Sequence, residues 1–266
     1  MLLLLFVTIL IFYKIYDIII IENKERGIVM FTKGMIAIAT NIVKNLDLPR
    51  EFGCDEETGE FEDLSLVSDQ LPCDIDINID NGISKLVLIP KDMPFVIKIP
   101  FNGMHYHEYV YDEENDEYDE CRHEFYPFTV HPDYCDFEME LVQQAQDRGF
   151  EQFVLDTICF YVDKNGRNYY LQEKATPSRY SYGVPPKEIS EHSKEVAASM
   201  SKAYCRCDEK WRASVVECYG ENMWITFVDW NAMNGLGILD DMHSGNYGYR
   251  EDGTPVLIDI SGFDDT

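Results

Sequence analysis

The sequence predicts an α+β fold, and three observations carry the prediction. Between Asp74 and Pro100, short runs alternate polar and apolar residues and are separated by the turn signals Asp80-Asn-Gly82 and Pro90-Lys-Asp-Met93, as in an antiparallel meander. Pro132-Asp133 opens, and Gly149 closes, a segment with apolar residues at helical spacing. Near the C-terminus, Tyr247 to Tyr249 and Pro255 to Ile258 flank Glu251-Asp-Gly253, a hairpin pattern. With 266 residues, 45% of them hydrophobic, the chain can bury one sizeable core that can divide into two lobes.

Charge narrows the function classes. Twenty-two Lys and Arg against 49 Asp and Glu leave a formal charge of −27, which repels nucleic acid and anionic lipid. No nucleic-acid partner is expected, although an acidic mimic of DNA stays open. The eight cysteines form no CxxC pair, and Cys205-Arg-Cys207 alone is a weak metal signal. Several others lie in apolar runs, as reduced core thiols do, so a cytoplasmic location is expected. Residues 1–21 are long enough to span a bilayer, but Lys14 and Asp17 near their middle are costly there. Two readings stay open: a membrane anchor with a cytoplasmic body, or a leader that is not translated, with Met30 or Met35 as the start.

Taken in order, Ile36, Ala39, Ile42, Val43 and Leu46 recur at helical spacing over Met35 to Leu46. Residues 47–74 read as an acidic connector. The meander follows, and in its last strand Lys98 stands between Ile97 and Ile99, sharing a face with Val96. Residues 107–124 are dense in carboxylates without a helical stripe, and their tip, Asp112 to Glu120, reads as a solvated loop between strands. On the helix from Tyr134 to Arg148, Glu138, Leu141, Val142 and Ala145 share one face. A carboxylate on that face needs a partner; if the phase slips by a residue or two, Glu140 takes its place. Strands are expected over 152–162 and 167–172, then helices over 190–204, 209–219 and 224–236.

The segment Asp241-Met-His243-Ser-Gly245-Asn246, its hairpin, and Asp259-Ile-Ser-Gly262 gather two carboxylates and an amide oxygen. Such hard oxygen ligands hold Mg²⁺ through a few contacts and leave room for phosphate. Asn246 follows Asp241 by five positions and Asp259 follows Asn246 by thirteen. In residue types and spacing this segment resembles the catalytic and metal-binding loops of the protein-kinase-like superfamily, with one residue more before the glycine. His243 stands where protein kinases carry lysine, as in aminoglycoside and choline phosphotransferases.

The resemblance, over roughly 74–262, implies a two-lobe fold: an antiparallel small lobe with one helix over 74–175, and a reduced, mainly helical large lobe over 176–266. Residues 1–29 and 30–73 would precede it as leader or anchor and as a helical extension. It further implies that Asp241 accepts the proton of an attacking hydroxyl and that Asn246 and Asp259 bind Mg²⁺. Lys98, paired with Glu138, would grip ATP, and Gly82, Glu173, Lys174, Ala175 and His243 would complete the nucleotide contacts. An ATP-dependent phosphotransferase with an unknown hydroxyl acceptor is therefore expected. The alternative is a weakly catalytic, kinase-shaped binding protein whose acidic face engages a partner. Two departures matter. The first turn holds a single glycine, and Asp240 replaces the arginine through which many protein kinases sense phosphorylation.

Overall fold

The computed structural model describes residues 31–56, 61, 64–112, 117–183, 188–200, 207–239 and 241–261. The apolar stretch 1–21, Asp240 and Gly262 lie outside them. Residues 1–38 and 39–266 form two compact units. Of the first, residues 31–38 are described; they hold the opening of helix α1 (Lys33–Val43), where Thr32 Oγ1 accepts from the Met35 N–H.

The second unit is α+β. Its centre is an antiparallel five-stranded sheet built from β2 (Ile77–Asn81), β3 (Lys85–Pro90), β4 (Phe95–Pro100), β7 (Thr157–Val162) and β8 (Asn168–Glu173), in spatial order β2-β3-β4-β8-β7. Cross-strand pairs Leu86–Ile99, Leu88–Ile97 and Ile97–Leu171 put five fully buried aliphatic residues on one face. A second sheet pairs β1 (Gly53–Asp55) parallel with β5 (Gly103–Asp112), which forms a hairpin with β6 (Glu117–Pro127). This corrects two expectations. Strand pairing runs to Asp112 and resumes at Glu117, so the loop expected over Asp112 to Glu120 is narrower, and the connector 47–74 contributes β1 and the short helix α2 (Leu64–Ser68). Gly53 and Gly103 permit the pairing, because a Cβ on either would collide with the facing backbone.

Helix α3 (Tyr134–Asp147) follows β6 and packs on β4 and β7. The C-terminal part carries α4 (Glu191–Ser199), α5 (Glu209–Tyr219) and α6 (Glu221–Asn234). Before and after them in the chain, β9 (Thr176–Pro177), and β10 (Tyr247–Tyr249) with β11 (Pro255–Leu257), make a small sheet in the order β11-β10-β9. One core runs through Leu141, Phe153, Trp211, Trp224, Phe227, Met242, Leu257 and Ile260. Six helices lie among the described residues, and none is long and apolar enough to cross a membrane. Cys207, half of the weak metal signal Cys205-Arg-Cys207, is disulfide-bonded, while Cys54, Cys73, Cys135, Cys159 and Cys218 form no disulfide.

Helix α4 packs on α5 through a polar cap. Glu217 Oε2 accepts from the Ser190 hydroxyl at 2.6 Å, the Ser193 hydroxyl at 2.7 Å and the Ser190 N–H at 3.0 Å. These bonds hold its carboxyl down at about 2 rather than 4.5. A depressed carboxylate stabilises the fold above its unfolded pKa and loses that contribution as pH falls through the folded value. Glu217→Gln is therefore expected to lower the melting temperature at neutral pH. The difference from wild type should shrink between about 4.5 and 2, as melting curves across that window would record.

Candidate active site

Strand register decides which side chains meet. Lys98 stands opposite Val87, and Lys85 lies two residues before Val87, so both lysines share one face of the sheet. Gln172, opposite Val96, joins that face. Helix α3 brings Glu138 onto it, and the N-terminus of α3 is pinned. Asp133 Oδ1 accepts from the N–H groups of Cys135 and Asp136, both at 3.0 Å, while Oδ2 accepts from the Tyr170 hydroxyl of β8 at 2.7 Å. The cap fixes the phase that turns Glu138 inward and leaves Glu140 exposed.

The result is a buried network of four charges. Lys98 Nζ donates to both oxygens of Glu138, at 2.7 and 2.8 Å, and to the Ile258 carbonyl at 3.2 Å. Lys85 Nζ donates to Asp259 Oδ1 at 2.8 Å, Ser261 Oγ at 3.0 Å and Glu138 Oε2 at 3.2 Å. Gln172 Nε2 donates to Glu138 Oε1 at 3.0 Å. The side chains of Lys85, Lys98 and Glu138 are 2%, 3% and 1% exposed, while Asp259 keeps 27%. Two ammonium groups balance two carboxylates, and this balance makes the burial tolerable. Burial works against the charge on Asp259, but Lys85 and then Lys98 outweigh it and hold the carboxyl well below the usual range. On Lys85 the same contest ends with its pKa raised, because Asp259 and Glu138 outweigh the burial. Burial pushes the neighbouring Cys135 thiol well up, so it stays neutral.

Beside this network lies the Asp241–Asn246 loop. Asn246 Nδ2 donates to the Asp241 carbonyl at 2.7 Å and to Asp241 Oδ2 at 3.1 Å. The Asn246 carbonyl accepts from the N–H groups of Ile258, at 2.8 Å, and Asp259, at 3.3 Å, so the loop lies against the Ile258–Ser261 segment. Buried Met242 and Ile260 anchor the chain on either side while the carboxylates of Asp241 and Asp259 keep exposure. Trp211 Nε1, donating to the Gly248 carbonyl at 2.8 Å, holds the hairpin between them. His243 Nδ1 accepts from the Gly245 N–H at 3.1 Å, and its Nε2 lies 3.9 Å from Asp241 Oδ2.

Lys98, Glu138 and Asp259 thus belong to one network, and Asp241, His243 and Asn246 to the adjoining loop. Other expected contacts are otherwise engaged. The Gly82 N–H donates to the Lys85 carbonyl at 3.0 Å in a turn with open space around it, so that N–H is already committed. The N–H groups of Glu173 and Lys174 donate to the carbonyls of Asp156 and Pro94, both at 3.0 Å. Their side chains are also committed, Glu173 to Arg250 at 3.0 Å and Lys174 to the carbonyls of Pro90 and Lys91. Of the three, only Ala175 has an N–H without an acceptor among the described residues. Lys85, Gln172 and Ser261 were not singled out from the sequence. For Lys85 the available signal was parity, since it shares its face with Val87 and, through the hairpin, with Lys98.

Among the described residues, no group of three or more His, Cys, Asp or Glu side chains gathers as a metal site. A magnesium ion needs fewer protein ligands, and two oxygens suit it. Asp259 Oδ2 and Asn246 Oδ1 accept from no described residue, because Lys85 and Ser261 use Asp259 Oδ1 and Asn246 engages Asp241 through Nδ2. Both oxygens are therefore uncommitted among the described residues. No protein-family model matches the chain, and neither a curated protein nor a solved structure matches it. Fold and site define it as an α+β chain with a neutral buried charge network beside an acidic loop.

Proposed function

We propose that this chain is an ATP- and magnesium-dependent phosphotransferase with a kinase-like two-lobe fold, moving the γ-phosphoryl group to a hydroxyl acceptor. One observation carries the reading. A strand lysine, Lys98, is paired at 2.7 Å with a helix carboxylate, Glu138, beside a loop that offers Asn246 and Asp259 as oxygen ligands. The antiparallel sheet with one helix across its face adds support.

In this reading Asn246 and Asp259 would hold the metal, which would neutralise charge on the phosphate oxygens. Lys98 offsets further phosphate charge, and Glu138 keeps its ammonium oriented. Asp241 is the proton acceptor. Its carboxylate is 49% exposed, and the Asn246 amide orients it by donating to Oδ2. Ala175 contributes its N–H to the base.

Thermal shift and calorimetry with Mg-ATP, followed by phosphate release, test this directly. Wild type is expected to bind, and Asp259→Asn to bind at least about tenfold more weakly. An absent shift in wild type, or unchanged affinity in the variant, would sink the proposal. A second reading, a nucleotide-binding chain without turnover that engages a partner through its acidic surface, is favoured by the committed Gly82 N–H. Binding without phosphate release would select it.

A further inference from the structure

We propose that Lys85 is a second phosphate-binding cation of the nucleotide site, held on Asp259 until a divalent cation takes that carboxylate. The inference rests on the phosphotransferase reading and adds to it a residue and an order of assembly.

The bonding of the two lysines divides their duties. Lys98 reaches both Glu138 oxygens within 2.8 Å, so that pair is complete by itself. Lys85 touches Glu138 only at 3.2 Å, and its shorter bonds go to Asp259 and Ser261 in the metal-loop segment. Its ammonium therefore balances the carboxylate assigned to the metal. Once Asp259 serves a divalent cation, the network carries two ammonium groups and that cation against two carboxylates. The excess positive charge must meet an anion, because uncompensated buried charge is costly. A nucleotide polyphosphate supplies it.

Position favours the same residue. Lys85 opens the strand that leaves the Asp80–Gly82 turn, where the single glycine N–H is spent on the Lys85 carbonyl. The side chain thus provides, from the same turn, the positive charge that its backbone does not. A lysine stem has the rotatable bonds to move its ammonium between a carboxylate and a phosphate, where a planar guanidinium would be held in register.

The consequence is a coupling between metal and nucleotide that runs through one side chain. Full-length wild type and Lys85→Met would be titrated with Mn²⁺ alone, read by water-proton relaxation, and with Mn²⁺ plus a non-hydrolysable ATP analogue, read by calorimetry. Lys85→Met should bind Mn²⁺ alone more tightly, because the competing ammonium is gone. It should bind the analogue more weakly, because a phosphate partner is gone. Each change is expected to be about tenfold, within the range of such couplings. Damage to the fold would weaken both, so opposite signs are diagnostic. Unchanged analogue affinity, or weaker Mn²⁺ binding in the variant, overturns the role of Lys85. A wild type that binds neither ligand overturns the phosphotransferase reading itself. Should Lys85→Met fail to fold, wild-type lysines can be acylated and mapped by mass spectrometry. Labelling of Lys85 should rise with Mn²⁺ alone and fall when the analogue is added; labelling indifferent to both overturns the proposal.

Discussion

Glu138→Gln is expected to destabilise the chain by about 3–5 kcal/mol, the usual cost of removing one partner from a buried charge pair. The substitution keeps shape and volume, so packing changes little and the loss is electrostatic. Glu138 accepts three bonds from two ammonium groups and one from Gln172. Without its charge, Lys85 and Lys98 share Asp259 alone. One lysine can shed its proton, which caps the cost. Neutralising an ammonium of ordinary pKa near 10.4 at neutral pH takes roughly 4–5 kcal/mol, so the two estimates agree. In melting temperature the effect is on the order of 10 °C. The double variant Glu138→Gln with Lys98→Met restores neutrality. It should be less damaged than the sum of the single changes, by about 0.5–3 kcal/mol. Simple additivity in denaturant melts would show that the four charges do not act as one network.

Much of this network was legible because period and parity are local. Alternation through Phe95 to Pro100 assigned Lys98 a face with Val96, and the i, i+3, i+4 stripe put Glu138 on the inner side of α3. Asp133 and Gly149 bounded that helix in sequence and bound it in space, Gly149 with φ of 79°. Lys85 escaped because a lysine at the first position of a strand, after a polar turn, looks like a solvent-facing residue. Only the pairing of β3 with β4 puts it under α3, and pairing is a long-range property. The extent of the β5–β6 hairpin was underestimated for a related reason. Its carboxylate-rich sequence has low strand propensity, and its structure comes from partners, β5 lying against β1 some fifty residues earlier. The commitments of the Glu173 and Lys174 N–H groups were illegible for a different reason. A sequence does not reveal which backbone N–H groups the sheet and its turns have already used.

Asp241→Asn is expected to lower phosphoryl transfer by about 10²–10⁴-fold while leaving nucleotide affinity within about twofold. The asparagine preserves size and an acceptor oxygen for the Asn246 amide, so the loop geometry persists. Lost is the basicity needed to take a proton from the attacking hydroxyl. Affinity is spared because the Asp241 side chain makes no bond to Lys85, Lys98 or Asp259, the groups assigned to phosphate and metal. Phosphate release to water serves as the readout while the acceptor is unidentified, with thermal shift by Mg-ATP measured on the same preparation. The three variants then separate the parts of the site. Glu138→Gln acts on stability, Asp259→Asn on binding, and Asp241→Asn on the chemical step. Full turnover in Asp241→Asn would leave the loop without a proton acceptor and refer the carboxylate to a structural role beside Asn246.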